Sequence, residues 1–146
     1  MKFSTVFAVS ALYILPSSLT LAASVAYNTA FDNAAGSLDS VACSDGPNGL
    51  ETRNYTTFGS LPKFPYIGGA AAVTGWNSPN CGTCWELIYT NAQSQNKIIN
   101  VLAIDRAGDG FTIGLTGMNE LTGGQGTQLG RVDVAAKQVA SSVCGL

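Results

Sequence analysis

Side-chain catalysis needs groups that can carry protons or electron pairs. This chain of 146 residues holds nine carboxylates, seven Lys or Arg, four cysteines and no histidine. Without histidine there is no Ser-His-Asp or Cys-His nucleophile, no imidazole proton shuttle and no imidazole metal ligand. Carboxylates alone could still serve a glycosidase, whose acid and base sit about 5 to 9.5 Å apart. The richest constellation is Asp105-Arg106-Ala107-Gly108-Asp109-Gly110-Phe111-Thr112, a polar, Gly-rich loop directly after an apolar run. Asp105 has two readings there: a carboxylate offered at the mouth of a loop, or an Asx-type cap bonded to nearby backbone N–H groups.

The four cysteines, Cys43, Cys81, Cys84 and Cys144, are read through the compartment. Lys2 followed by the apolar stretch Phe3–Leu15, the helix-breaking Pro16, and small residues Thr20 and Ala22 predict a signal peptide over residues 1–22. The run is shorter than the roughly 20 apolar residues that a membrane span requires. In an oxidising compartment an even cysteine count implies disulfides, and four cysteines allow three pairings. A redox CxxC would open a helix, which lowers the thiolate pKa. Here Cys81-Gly82-Thr83-Cys84 runs into the alternating Trp85-Glu86-Leu87-Ile88-Tyr89, a strand pattern, and no second CxxC completes a zinc site. Two structural bridges are therefore expected, with no metal and no cofactor.

The elements that must position these groups are short and numerous. Only 11% of residues are charged, against about 25% in an average domain. Once Lys2 is removed, six basic and nine acidic groups remain, a net −3, which disfavours nucleic acid as a partner. One domain is expected over 23–146. Its strand candidates are Ser24–Tyr27, Trp85–Thr90, Lys97–Asp105, Phe111–Ile113 and Arg131–Ala135. Lys97–Asp105 is apolar almost throughout and predicts a strand buried on both faces. Thr116 is placed as the N-cap of one or two helical turns stopped by Gly123-Gly124. Leu61–Tyr66, with two prolines, reads as an extended loop, and Gly68-Gly69 as its continuation. Trp85 reads as core and Trp76 as partly exposed. The sum is a small, mainly β barrel with long loops.

Three strings carry a resemblance: Cys43-Ser44-Asp45-Gly46-Pro47-Asn48-Gly49-Leu50, Gly75-Trp76-Asn77-Ser78-Pro79-Asn80-Cys81-Gly82-Thr83-Cys84-Trp85, and Gly130-Arg131-Val132-Asp133. In this order they resemble the cerato-platanin family, small secreted fungal proteins with four cysteines. The resemblance implies a mainly β, six-stranded double-psi barrel with short helices, stapled by Cys43–Cys81 and Cys84–Cys144. It also implies an extracellular and fungal cell-wall location, binding to N-acetylglucosamine oligomers or chitin, self-assembly at interfaces, and detection by a host receptor as an elicitor.

The same barrel is shared by expansins and related endoglucanases, which carry a Phe-Asp pair whose Asp is the acid in the hydrolases. At the matching place Phe111 is followed by Thr112, and a hydroxyl does not supply that proton. Asp32 is nearby in sequence to the hydrolases' first-strand Asp but outside its pattern. Binding without cleavage is therefore expected, with surface-active or expansin-like wall-loosening roles as alternatives. The candidate carbohydrate-binding residues are Asp105, Thr112, Gly82, Thr83, Gly108, Asp109, Gly110 and Trp76. Asp45 with Asn48 is expected to build the turn after Cys43. Asn54-Tyr55-Thr56 is the only N-x-S/T sequon, because Asn77-Ser78 is followed by Pro79.

Overall fold

The computed structural model describes residues 19–146. Of the signal-peptide reading over residues 1–22, residues 1–18 lie outside the described residues. Six strands close into a barrel: β1 (Leu21–Tyr27), β2 (Ile67–Ala70), β3 (Cys84–Thr90), β4 (Asn96–Arg106), β5 (Phe111–Ile113) and β6 (Arg131–Val139). Around the ring they run β1-β5-β2-β4-β3-β6. β1 lies parallel to β5 and β2 parallel to β4, while the other four neighbours are antiparallel. This is the six-stranded double-psi barrel that the resemblance implied, and it leaves no open sheet edge.

β1 and β2 are not neighbours, because β5 lies between them in the ring, and the chain travels from one to the other through residues 28–66, folded over the barrel in four 3-10 turns. Those turns bury Phe31, Leu38 and Phe58, and Phe31 packs on Phe58 at 6.0 Å between ring centroids. Cys43–Cys81 ties this long connection to the loop before β3, and Cys84–Cys144 ties the start of β3 to the C-terminal turn Ser141–Cys144. Each bridge closes a loop in the unfolded chain and contributes roughly 2–4 kcal/mol. The pairing is the one the resemblance implied, and no cysteine is free.

β3 follows its alternation. Leu87 is fully buried, Trp85 is buried edge-on against Phe111 at 5.5 Å, and the outward Glu86 meets Lys137 of β6 at 3.3 Å. β4 departs from the sequence reading. Val101–Ile104 are buried on both faces, but Asn96, Lys97 and Ile98 are exposed. The cause is register: β3 pairs with β4 from Asn96 onward, whereas β2 joins only at Leu102. The β3–β4 hairpin overhangs the barrel, and its tip has nothing to cover it.

Gly68-Gly69 is not a continuation of the loop but the centre of β2, buried between β4 and β5. A Cβ on Gly68 would stand 2.1 Å from the Thr112 carbonyl oxygen. The glycines are there for close approach of two backbones, a role that reads in sequence as a turn. The helix α1 (Leu115–Thr122) ends at Gly123 as expected, in the left-handed region. Its start is not capped by Thr116, which lies one position inside. Asp32, from the connection after β1, reaches across instead: Oδ2 accepts from Leu115 N (2.7 Å) and Oδ1 from Thr116 N (2.9 Å). A cap supplied 83 residues away leaves no local signature. A second short helix, α2 (Gly126–Leu129), leads into β6.

Candidate functional site

β4 ends by carrying Asp105 out of the core, since Ile104 before it points inward and is fully buried. Register sets Asp105 opposite Gly69 of β2, and Gly69 opposite Thr112 of β5. Asp105 and Thr112 are thus two strands apart in one row, with a residue lacking a side chain between them. Asp105 Oδ1 accepts from Arg106 N (2.8 Å) and from Ala42 N (3.0 Å). The first bond goes to the next residue along, not to the N–H two residues on that an Asx turn would engage. The second was not foreseen, and it fixes the segment that carries Cys43 and Asp45 against the end of β4.

The loop after Asp105 does not form one site. Asp105 lines a groove of about 420 Å³ with Asn28, Asn33, Ser40 and Phe58. Asp109 and Gly110 line another, of about 330 Å³, with Ala71, Ala72, Trp85 and Phe111. Gly108 is open to solvent, with no atom within 4 Å of where a Cβ would be. Gly110 is buried, at φ 54°, and a Cβ there would stand 2.0 Å from the Ser24 carbonyl oxygen. Its conformational freedom lets the loop pack on β1.

Gly82 is buried at φ 78°, with Leu50 and Leu146 over it. Its N–H donates to the Ala103 carbonyl, and the Thr83 carbonyl accepts from Ala103 N. Thr83 Oγ1 donates to Asn80 O (2.7 Å) and accepts from Trp85 Nε1 (2.9 Å). These two residues extend the β4 ladder around the disulfides.

Trp76 stands apart from the rest, 63% exposed in the loop between β2 and β3. Its indole Nε1 donates to Asp45 Oδ1 at 2.8 Å. Asn77 beside it clips the opposing turn, its Oδ1 accepting from Asn48 N (2.8 Å) and its carbonyl from Asn48 Nδ2 (3.1 Å). Asn77 N in turn donates to Ala42 O (3.4 Å). Hydrogen bonds therefore link Asp105 to Ala42, Ala42 to Asn77, and Trp76 beside Asn77 to Asp45. The bond to Trp76 holds the Asp45 carboxyl below its ordinary range, helped by its own backbone N–H. Nearby Glu51 is pushed up by desolvation and then by a hydrogen bond to Asp39 and the charges of Asp39 and Asp45.

The Asp45–Trp76 pair escaped the reading of single residues. Asp45 lies two positions after Cys43 and Trp76 five before Cys81, so the Cys43–Cys81 bridge brings their loops together. The implied pairing was the signal that could have found it. Among the described residues no group of three or more His, Cys, Asp or Glu side chains is placed to hold a metal ion.

The family model of cerato-platanin matches residues 23–146. The chain belongs to the cerato-platanin family. It is 43% identical over 150 residues to the heat-stable 19 kDa antigen of Coccidioides posadasii, covering 100% of this chain and 99% of that protein. The crystal structure of cerato-platanin 2 from M. perniciosa aligns with a TM-score of 0.82 at 47% identity, over 86% of this chain and 99% of that one. The solution structure of the fungal elicitor cerato-platanin aligns with a TM-score of 0.70 at 39% identity, over 83% and 95% respectively. Cerato-platanins are small secreted fungal proteins. Among the described residues no helix is long and apolar enough to cross a membrane.

Proposed function

We propose that this cerato-platanin binds N-acetylglucosamine oligomers or chitin through the face built by Trp76, Asp45 and Asp105, without cleaving them. The observation that carries this is the exposed indole of Trp76, anchored at its N–H by Asp45. An aromatic face held in one orientation suits the apolar side of a sugar ring, and carboxylate and amide oxygens around it suit its hydroxyls. Absence of cleavage is supported by the commitments of the carboxylates. Asp32 caps α1 with both oxygens, Glu86 pairs with Lys137, and Asp105 holds two backbone N–H groups through Oδ1. Thr112, where related hydrolases carry their acid, has only a hydroxyl, which donates hydrogen bonds but is too weak an acid to protonate a leaving group.

Secreted on a fungal wall, such a protein would meet chitin fragments and a host receptor together, which accords with its structural relative cerato-platanin being a fungal elicitor. The surface-active alternative finds less support, because among the described large exposed apolar side chains only Leu19 and Leu21 lie together in sequence, while Trp76, Ile98, Leu129 and Val143 stand on separate segments.

The test is a titration of the secreted protein with chitin oligomers, read by Trp76 fluorescence and calorimetry. Saturable binding is expected. Trp76→Ala should weaken it roughly tenfold or more, a loss of about 1.4 kcal/mol per decade. Asp105→Asn keeps the Oδ1 acceptor and removes the charge, so it isolates the ligand contribution from the tie to Ala42. Release of reducing ends that a carboxylate substitution abolishes would overturn the non-cleaving reading, and binding unchanged in Trp76→Ala would move the site elsewhere.

A further inference from the structure

We propose that Asn54 carries an N-linked glycan, a modification that goes beyond the binding reading and rests only on passage through the secretory pathway. Asn54-Tyr55-Thr56 satisfies the acceptor sequon and is the only one in the chain. The folded chain leaves the acceptor position free to carry a bulky group. Asn54 ends the 3-10 turn Glu51–Arg53 at φ 67° and ψ 21°, where the chain reverses. Asn54 and Thr56 are exposed. The Asn54 amide and the Thr56 hydroxyl make no hydrogen bond among the described residues, while the backbone on either side is firmly held. Asn54 N donates to Glu51 O (3.0 Å), Tyr55 N to Leu50 O (3.4 Å), Thr56 N to Ser60 Oγ (3.2 Å), and Thr56 O accepts from Leu38 N (3.0 Å). A fixed turn with a free amide at its apex holds a bulky polar group away from the core at no cost in packing.

The step is a group transfer without redox change. The Asn54 Nδ2 attacks the anomeric carbon of a polyprenyl-diphosphate-linked oligosaccharide, forming the N–C1 bond. The bond from C1 to the diphosphate oxygen breaks, the lipid diphosphate leaves with the electron pair, and Nδ2 loses one proton.

A second demand acts on the same residue. The left-handed conformation at position 54 by itself favours Asn over most side chains. The variants must separate backbone need from acceptor role. Thr56→Ala removes the sequon and leaves Asn54 in its turn, Thr56→Ser keeps the sequon, and Asn54→Gly meets the backbone demand without an amide. The full chain is secreted from a filamentous fungus and read by intact mass and by peptide mapping after peptide-N-glycosidase treatment in isotopically labelled water. The expected result is an oligosaccharide mass on the Asn54 peptide of the wild type and of Thr56→Ser, lost in Thr56→Ala and in Asn54→Gly. Unmodified wild-type protein, or a glycan mass that persists in Thr56→Ala, overturns the proposal and leaves the turn as the whole reason for Asn54.

Discussion

Trp76 and Asp45, 31 positions apart in sequence, are joined by an N–H to carboxylate bond of 2.8 Å on an otherwise exposed surface. The bond restrains the azimuth of the indole, so that in the proposed function the ring would meet a ligand already oriented. Asp45→Ala should leave the ring free to rotate. Chitin-oligomer affinity is expected to fall several-fold with little change in thermal midpoint, and Trp76 emission should shift toward that of a solvated indole. Calorimetry beside steady-state fluorescence checks both parts; an unchanged emission would mean that the bond does not hold the ring in solution.

Asp32 supplies a helix cap from a distant segment, satisfying two of the N-terminal N–H groups of α1. Asp32→Ala orphans both and should destabilise the fold by about 1–3 kcal/mol in chemical denaturation. Ligand affinity of the folded fraction should stay at the wild-type value.

Two glycines of similar appearance in sequence should answer differently to the same substitution. Gly68→Ala puts a Cβ 2.1 Å from a backbone carbonyl between β2 and β5, and neither strand can yield without opening the barrel. Secretion of folded protein is expected to fail. Gly108→Ala meets open space and should lie within about 0.5 kcal/mol of wild type. Expression yield and thermal denaturation of the pair decide it.

Glu51 gives the acid side of the molecule a pH signature. Its carboxyl is raised by desolvation and by Asp39. A raised folded-state pKa means that the contribution to stability is complete below the unfolded pKa and is lost as pH rises through the folded one. Glu51→Gln removes that loss. The variant should be more stable than wild type near neutral pH and indistinguishable from it once both are below the carboxylate range. Asp45 runs the other way, its lowered pKa favouring the fold above the unfolded value and losing that contribution as pH falls through the folded one. Thermal midpoints across an acid-to-neutral series distinguish the two trends.

What the sequence revealed follows the range of the physics involved. Alternation placed β3 and β5, because burial against a core acts on each strand locally. Left-handed glycine ended α1 at Gly123 for the same reason. The failures concern partners far away along the chain. β2 was hidden because Gly68-Gly69 answers to the Thr112 and Arg106 carbonyls, not to its own neighbours. The overhang of β4 depends on where β2 begins its pairing, and the cap of α1 on Asp32. At the candidate site, the end position of Asp105 was legible from the apolar run before it. Its tie to Ala42, and the division of its loop between two grooves, needed the fold of residues 28–66 on the barrel.

β1 starts at Leu21, and its first rungs pair Leu21 with Ala136 and Ala22 with Ala135, just ahead of Ala23 with Val134. A cut after Ala22 would fall inside this ladder. A peptidase needs its substrate strand extended and unpaired, so a barrel that had already sealed would hide the bond from it. If the expected leader is cut there, trimming and folding compete for the same few residues, and the cut would have to come before β6 finds β1.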